Sequence, residues 1–421
     1  MTALRVTAAL LLGAVLTGNL IRVPVFSGGG KSAPLIALDL ALGVFVVVGV
    51  TEILRRRRLA LDPAARWGIA FVAIAALSVL SAGARVGIAP NEMLFAATYL
   101  VRWAGYFSLF VLIGALLPAS EAPPVAQLLR RCIVAFAAFG ILQSIFLPDF
   151  ALLVHPTDQP YLDWDPQRNR LVSTFLDPNY AGILIVVGLC LWGGRLIAGV
   201  APPWWEGAIL GVALVLTLSR GAMLAGLSAA AALSIAYGFS RRLGRAAAIA
   251  AVVLLAASPF VLEFGQEFAK FQIDRSALGR LIAWQRNLVL LADYPMLGIG
   301  FNTLGFVAPR YGWHIAGVGG FGLDGGLLFI AALTGLAGVT CLTALLVSIA
   351  RSARHLWRTP DADAEDRAIA FAAFGTVVAV VVHSLFANTI MLPLVLAPCW
   401  ILWALPRVRR QKSGRLAGPH A

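Results

Sequence analysis

Residues Gly279–Pro295 read GRLIAWQRNLVLLADYP, and after a short gap the chain continues with GIGF (298–301) and PRYGWHIAGVGGFGLDGG (309–326). The first two lie within, and the third runs just past, the stretch from Glu263 to Leu323, a long polar-bearing insertion in a chain that otherwise keeps returning to apolar runs. Between Leu278 and Leu291 the apolar residues Leu278, Leu281, Ile282, Leu288 and Val289 recur at helical spacing. That pattern predicts an amphipathic helix. Arg280 and Asn287 share its polar side, and Tyr294–Pro295 stop it. A helix with one apolar face, in a sequence this rich in spans, lies on the membrane or over a cavity. The polar groups around it are Arg, Tyr, Trp, His and Asp, which suits an anionic or sugar-bearing ligand better than a plain connector.

Outward from this insertion, composition sets the class. The 421 residues are 60% hydrophobic and only 13% charged, with a mean hydropathy of +0.86. Soluble globular domains do not have this usage. Apolar runs of roughly 17–25 residues can cross a bilayer as helices, and no period-two alternation points to a barrel. The reading is an all-α polytopic membrane protein, one membrane domain over 1–421, with about 12 transmembrane helices. A net charge of +13 would suggest nucleic acid for a soluble chain. Here it collects in short segments such as Arg55–Arg58, Arg241–Arg245 and Arg351–Arg358, where topology explains it without a nucleic-acid partner. Those clusters predict both termini on the cytoplasmic side. Two longer stretches then face outward, 148–177 and 263–323, the second expected to act as a lid.

The expected first span runs from about Val6 to Phe26, an uncleaved helix rather than a signal peptide, since no A-x-A site follows it. The second begins near Pro34. Arg102 falls inside the fourth span, which implies a partner or a wet cavity. Arg130 and Arg131 mark a cytoplasmic edge, and the last two spans are expected to break near Asn388 and Pro393. Cys132, Cys190, Cys341 and Cys399 sit in spans with no paired or metal-ligand spacing.

With this topology the unusual polar residues gather outside. Asp177-Pro178 reads as an N-cap followed by a first-turn proline, and Ser219 as a second cap. Helix N-termini favour anions, and Arg170 and Arg220 bring forked donors suited to phosphate. The same arginines could serve only as interfacial anchors, although the positive-inside rule places few of those on the outer side. Trp284 and Trp313 can stack on sugar rings or anchor at the interface. His314 is a candidate base or a structural histidine. The DWD triplet, Asp163–Asp165, is a carboxylate pair with a metal-binding alternative; the triplet Asp361–Asp363 reads as a solvated loop.

Taken together, R-L-V-S-T-F-L-D-P-N (Arg170 to Asn179), L-S-R-G-A (with Arg220), G-R-L-I-A-W (Arg280, Trp284), Y-P-M-L-G-I-G (Pro295 to Gly300) and the glycine-rich start of the tenth span resemble the O-antigen ligase and polysaccharide polymerase superfamily, whose shared region is called Wzy_C. The resemblance covers roughly Arg170 to Leu345. It implies a GT-C-like, metal-independent glycosyltransferase with no cofactor, in the bacterial inner membrane with its site on the periplasmic side. Such enzymes pass a glycan, with inversion, from an undecaprenyl-diphosphate-linked donor to a hydroxyl of a glycan or lipid-linked acceptor. By likeness, Arg170, Arg220 and Arg280 would hold the diphosphate, with Asn179, Trp284, Trp313 and Tyr311 candidates for the glycan. The sequence departs from the ligases at the base. Where they carry His-Asn before the last long span, counting back from Gly335 gives Asp324 and Gly325 here. That departure resembles the polymerase branch, and the base is left between Asp324 and His314. The rival from another class is a transporter or flippase of lipid-linked oligosaccharides, for which the spans offer few polar groups beyond Arg102, Gln143, His383 and Asn388.

Overall fold

The computed structural model describes residues 2–28, 31–56, 59, 61–155, 170–237, 278–313 and 323–416. The expected ninth span, the DWD triplet and His314 lie outside these residues. What is described is almost wholly helical, and eight of its helices are long and apolar enough to cross a membrane. The main helices are α1 (Thr2–Thr17), α2 (Ala37–Arg56), α3 (Pro63–Leu80), the short α4 (Ala82–Val86), α5 (Pro90–Leu116), α6 (Ala122–Phe146) and the short α7 (Phe150–Val154). They continue with α8 (Pro178–Ala198), α9 (Trp204–Leu216), α10 (Arg220–Tyr237), α11 (278–293) and the short α12 (Leu304–Val307). The last three are α13 (Gly326–Arg358), α14 (Ala364–His383) and α15 (Pro393–Leu416). This is a multi-pass α-helical membrane protein.

Helix starts follow local chemistry. Asp62 accepts from the Ala65 N–H ahead of α3, with Pro63 in the first turn. Glu92 reaches back to the Ala89 N–H at the start of α5, and Asp363 and Asp366 form a reciprocal capping box for α14. Each device satisfies backbone donors that helix geometry leaves free. Asp363 therefore does structural work that its expected place in a solvated loop did not include; it also pairs with Arg409 at 2.7 Å.

α8 is largely enclosed and packs against α14, α10, α9 and α6. Close approach is possible because small residues line the contacts. A methyl group on Gly194 would stand 2.7 Å from the Ala368 carbonyl oxygen of α14, and one on Gly182 would meet Ala222 of α10. Lipid-embedded helices associate through such backbone proximity. In the same core Trp103, Phe107, Phe110, Trp400 and Trp403 pack together between α5 and α15.

Two expectations are corrected and a third is met. The first apolar run is not helical to Phe26: α1 stops at Thr17, and Arg22–Gly28 pairs antiparallel with Lys31–Ile36 as a hairpin (β1, β2). Gly18 turns left-handed there (φ 52°), where any side chain would strike Thr174, and Pro24 and Pro34 are out of place in a helix interior but tolerated in a two-stranded hairpin. Arg130 is not at a helix edge but two turns into α6, buried in an ion pair with Glu206. Arg102 does have its partner: its guanidinium grips Asp39 at 2.7 and 2.8 Å, and Tyr106 donates to the same carboxylate. The cost of a cation in the bilayer is thereby offset inside the protein.

The longest helix, α13, is broken within the apolar layer. Gly335 adopts φ 67°, ψ −170°, about 14 Å from the helix start at 1.5 Å per residue. The turn 295–300 fills the break. Ile299 and Gly300 donate to the Ala332 and Leu333 carbonyls, and Leu336 and Ala337 donate to the Pro295 and Met296 carbonyls. Four backbone groups that the break would leave open are thus paired, as the interior of a bilayer demands. Gly298 (φ 62°) permits the contact, since a Cβ there would lie 2.4 Å from Ala332. Arg85 of α4 clasps the turn through the Gly298 carbonyl, and Ser78 of α3 accepts from the Phe301 N–H.

Candidate functional site

The starts of α8, α10, α13 and α15 lie at one end of the bundle, together with the ends of α6, α9 and α14. The sequence reasons for α8 and α10 are the two caps. Asp177 Oδ1 accepts from Asn179 and Tyr180 N–H at 2.7 and 3.1 Å, and Ser219 Oγ accepts from the Ala222 N–H at 3.3 Å. The caps are stitched together, because the Ser219 hydroxyl also donates to Asn179 Oδ1 at 3.0 Å. Asn179 is thus a structural bridge between two helix starts.

The segment leading into α8 is pinned from several sides. Gln143 Oε1 accepts from the Val172 and Ser173 N–H groups, Ser173 Oγ donates to the Phe136 carbonyl, and Leu171 N–H donates to the Leu216 carbonyl. Arg170 is buried and its Nε donates to the Thr217 carbonyl at 2.9 Å. Ser173, Leu176 and Leu218 all have positive φ without being glycine (48°, 57° and 50°). Such backbone costs roughly 1–3 kcal/mol per residue and persists only where surrounding contacts hold it. Here it flanks both caps.

Arg220 opens α10 and is exposed to this end of the bundle. Arg280, in the first turns of α11, interacts electrostatically with both Arg220 and Asp324. Burial pulls its guanidinium below its ordinary range, Asp324 opposing, and its Nε finds no hydrogen-bond partner among the described residues. Asp324 stands just before α13. Its side chain reaches solvent, yet protein surrounds it closely enough that burial pushes the carboxyl up to about 6, with Arg280 opposing and Asp177 reinforcing. Asp177 itself is pushed up by burial, against its two backbone hydrogen bonds and Arg170. Three arginines and two carboxylates therefore belong to one electrostatic cluster at two helix N-termini.

α11 is held over this cluster by three contacts. Trp284 Nε1 donates to the Leu385 carbonyl at 2.9 Å, Asn287 Nδ2 donates to the Asp324 carbonyl at 3.2 Å, and the Arg280 guanidinium lies 6.0 Å from the Phe386 ring centre. Gly325 (φ 93°) leaves room for the Trp284 indole, which a Cβ would meet at 2.7 Å. Trp284 is thus engaged with protein at both its edge and its face. Tyr311 and Trp313 form a separate platform. Their rings stack at 4.7 Å, Arg286 covers Trp313 at 5.2 Å, and the Tyr311 hydroxyl donates to Asp293 at 2.6 Å. Sequence reasoning named neither Asp177 nor Tyr180 as a site residue, although Tyr180 lies beside Asp177, Asp324 and the backbone of Asn388. The signal for both was the D-P-N-Y string itself, read only as a cap.

The architecture defines a multi-pass membrane protein whose arginine-rich cluster sits at a convergence of helix starts. Residues 207–343 match the family model Wzy_C, described as O-Antigen ligase, which supports the O-antigen ligase and polymerase superfamily and, at that level, a membrane enzyme of glycosyl-transfer type. The match takes in Arg220, Arg280, Trp284 and Asp324; Arg170 and Asn179 precede it. No curated protein matches the chain.

Proposed function

We propose that this protein transfers a glycan from a lipid-linked diphosphate donor, undecaprenyl diphosphate by family likeness, to an acceptor hydroxyl, and that the cluster around Asp324 is its active site. The observation that carries the reading is the grouping of Arg170, Arg220 and Arg280 with Asp324 at the capped starts of α8 and α10. A glycosyl diphosphate is already activated. The protein has only to neutralise charge growing on the leaving group and to take a proton from the acceptor. Arg220 and Arg280 offer forked donors for the first task, with the α10 N-terminus behind them. Arg170 contributes charge from a buried position, its Nε occupied by Thr217.

For the second task Asp324 is the base among the described residues; His314 is the alternative from the sequence. A carboxyl poised near 6 is a better base than an ordinary aspartate and is still ionised at neutral pH. The Tyr311–Trp313 platform, with Arg286 and Asp293, suits a sugar further from the reacting atoms; Trp284 shapes the site with its indole N–H already donated, whereas Asn179, bonded through Oδ1 to Ser219, keeps its Nδ2 donors for the glycan. Attack by the acceptor from the side opposite the diphosphate gives inversion, and no step requires a metal.

The orientation that fits the positive-inside rule puts Arg55, Arg195, Arg354 and Arg410 in the cytoplasm and the cluster in the periplasm, within an inner-membrane bundle of about 12 helices of GT-C-like type. In that frame 148–177 and 263–323 are the periplasmic loops of a single membrane domain, and 263–323 is the lid. Purified protein in proteoliposomes with lipid-linked donor and acceptor tests the assignment. Loss of glycan transfer in both Arg220→Ala and Arg170→Ala is expected; unchanged product in both would refute it, and inhibition by EDTA would reinstate the metal alternative at the DWD triplet. Translocation of donor without product would favour the flippase.

A further inference from the structure

The loop between α14 and α15 is short, yet it touches α10, α11 and the start of α13. Its Ser384 and Ala387 carbonyls accept from the Leu327 and Gly326 N–H groups that open α13, at 3.2 and 3.3 Å. Its Leu385 carbonyl holds Trp284 of α11. Its base is fixed by His383, buried in the last turn of α14, whose Nδ1 lies 2.5 Å from Thr389 Oγ1 across the loop. Phe386 is at the centre. Its ring underlies the Arg280 guanidinium at 6.0 Å and tilts against Trp284 at 6.3 Å, while its Cβ lies 3.6 Å from the position a Cβ on Gly221 would take, next to Arg220.

We infer that Phe386 is a positioning residue: its ring face holds Arg280 toward the diphosphate of the donor and keeps it at a fixed separation from Arg220. This rests on the reading of the arginines given above. An arginine in that role needs its terminal nitrogens free for phosphate, so an ion pair or a hydrogen bond through them would be a poor support. An aromatic face attracts the cation without occupying a donor. The geometry matches that requirement: among the described residues no hydrogen bond or ion pair engages the Arg280 guanidinium, its buried Nε included, and Asp324 attracts it only electrostatically. Phe386 Cβ also abuts the start of α10 beside Arg220, so the one residue relates the position of Arg280 to that of Arg220.

The test uses full-length protein in nanodiscs and undecaprenyl diphosphate as the probe, with affinity read from the ligand-induced rise in melting temperature. Replacing the face by an aliphatic side chain in Phe386→Leu is expected to weaken binding by about 3- to 30-fold, the span of cation–π strengths from exposed to desolvated sites. Phe386→Tyr and Phe386→Trp should restore most of the loss. In the Arg280→Ala background, Phe386→Leu should add nothing. Three results are decisive. Wild-type affinity in Arg280→Ala would overturn the diphosphate reading itself. Weak binding by Arg280→Ala with wild-type binding by Phe386→Leu would overturn the role of Phe386 alone, as would equal losses that add in the double variant. If Phe386→Leu does not fold, Phe386→Met and the two aromatic variants carry the comparison, and an aromatic variant as weak as Phe386→Met would overturn the inference.

Discussion

Asp324 carries two consequences that pull in opposite directions. Its carboxyl is raised to about 6, above the ordinary aspartate value near 3.9. The folded protein therefore holds this proton more tightly than the unfolded chain, so the contribution to stability is full below about pH 4 and is lost as pH rises through about 6. Asp324→Asn should accordingly raise the melting temperature at pH 7.5 while making little difference at pH 4. On the proposed reading of Asp324 as the base, activity has the reverse dependence, because a base works only when ionised. Glycan transfer is expected to rise with pH through about 6 and to fall by 100-fold or more in Asp324→Asn, roughly the contribution of one positioned base. If that variant keeps its rate and His314→Ala loses it, His314 takes the role. Nothing in the spacing of residues could have ranked these two, since the environment of Asp324 is made by Arg280 and Asp177, residues 44 and 147 positions away.

At the scale of elements, local signals were legible and paired ones were not. The amphipathic period of 278–291, the Asp177 and Ser219 caps and the break near Asn388 each depend on a few consecutive residues, and all are where the string of residues puts them. The hairpin 22–36 was hidden by its apolar composition, and the partner of Arg102 by the 63 positions that separate it from Asp39. The break in α13 was least visible of all, because Gly335 looks like any small residue in a membrane helix until Pro295–Gly300 is laid into it. Two predictions follow from these pairings. Gly335→Ala would place a Cβ 2.2 Å from the Met296 carbonyl in a backbone conformation alanine rarely adopts; it should destabilise the protein by about 3 kcal/mol or more, measured as loss of folded monomer in detergent on heating. Asp177→Ala removes a cap bonded to two N–H groups, a loss of about 1 kcal/mol that should appear in the same assay and lower activity more than it lowers stability.

For the whole molecule, the distribution of charge makes the orientation testable. Single cysteines placed at Asp293 and at Asp361, on opposite ends of the bundle, should react with a membrane-impermeant maleimide in intact cells only at Asp293. Labelling of Asp361 instead would invert the topology and remove the periplasmic site. The two family branches separate at the level of product. Deleting the gene should leave single repeat units if the protein polymerises, and intact chains still on the carrier lipid if it ligates; Asp324 in place of His-Asn favours the first. Fold class was legible from composition and periodicity together: only helices and closed barrels satisfy the backbone of so apolar a chain in lipid, and long apolar runs without period-two alternation leave the helices.

The inserted turn at Gly335 also bears on how the protein is made. A segment entering the bilayer before 295–300 has docked has no partner for the Ala332 and Leu333 carbonyls or the Leu336 and Ala337 amides, if it bends. Each open group costs several kcal/mol in hydrocarbon, so α13 must first enter as a straight rod. Bending and docking then become one step, late in assembly and dependent on α3 and α4 already standing in place to receive the turn through Ser78 and Arg85. Biogenesis of this chain is thus ordered from its N-terminal third, and the turn 295–300 takes its final place only when that rod yields.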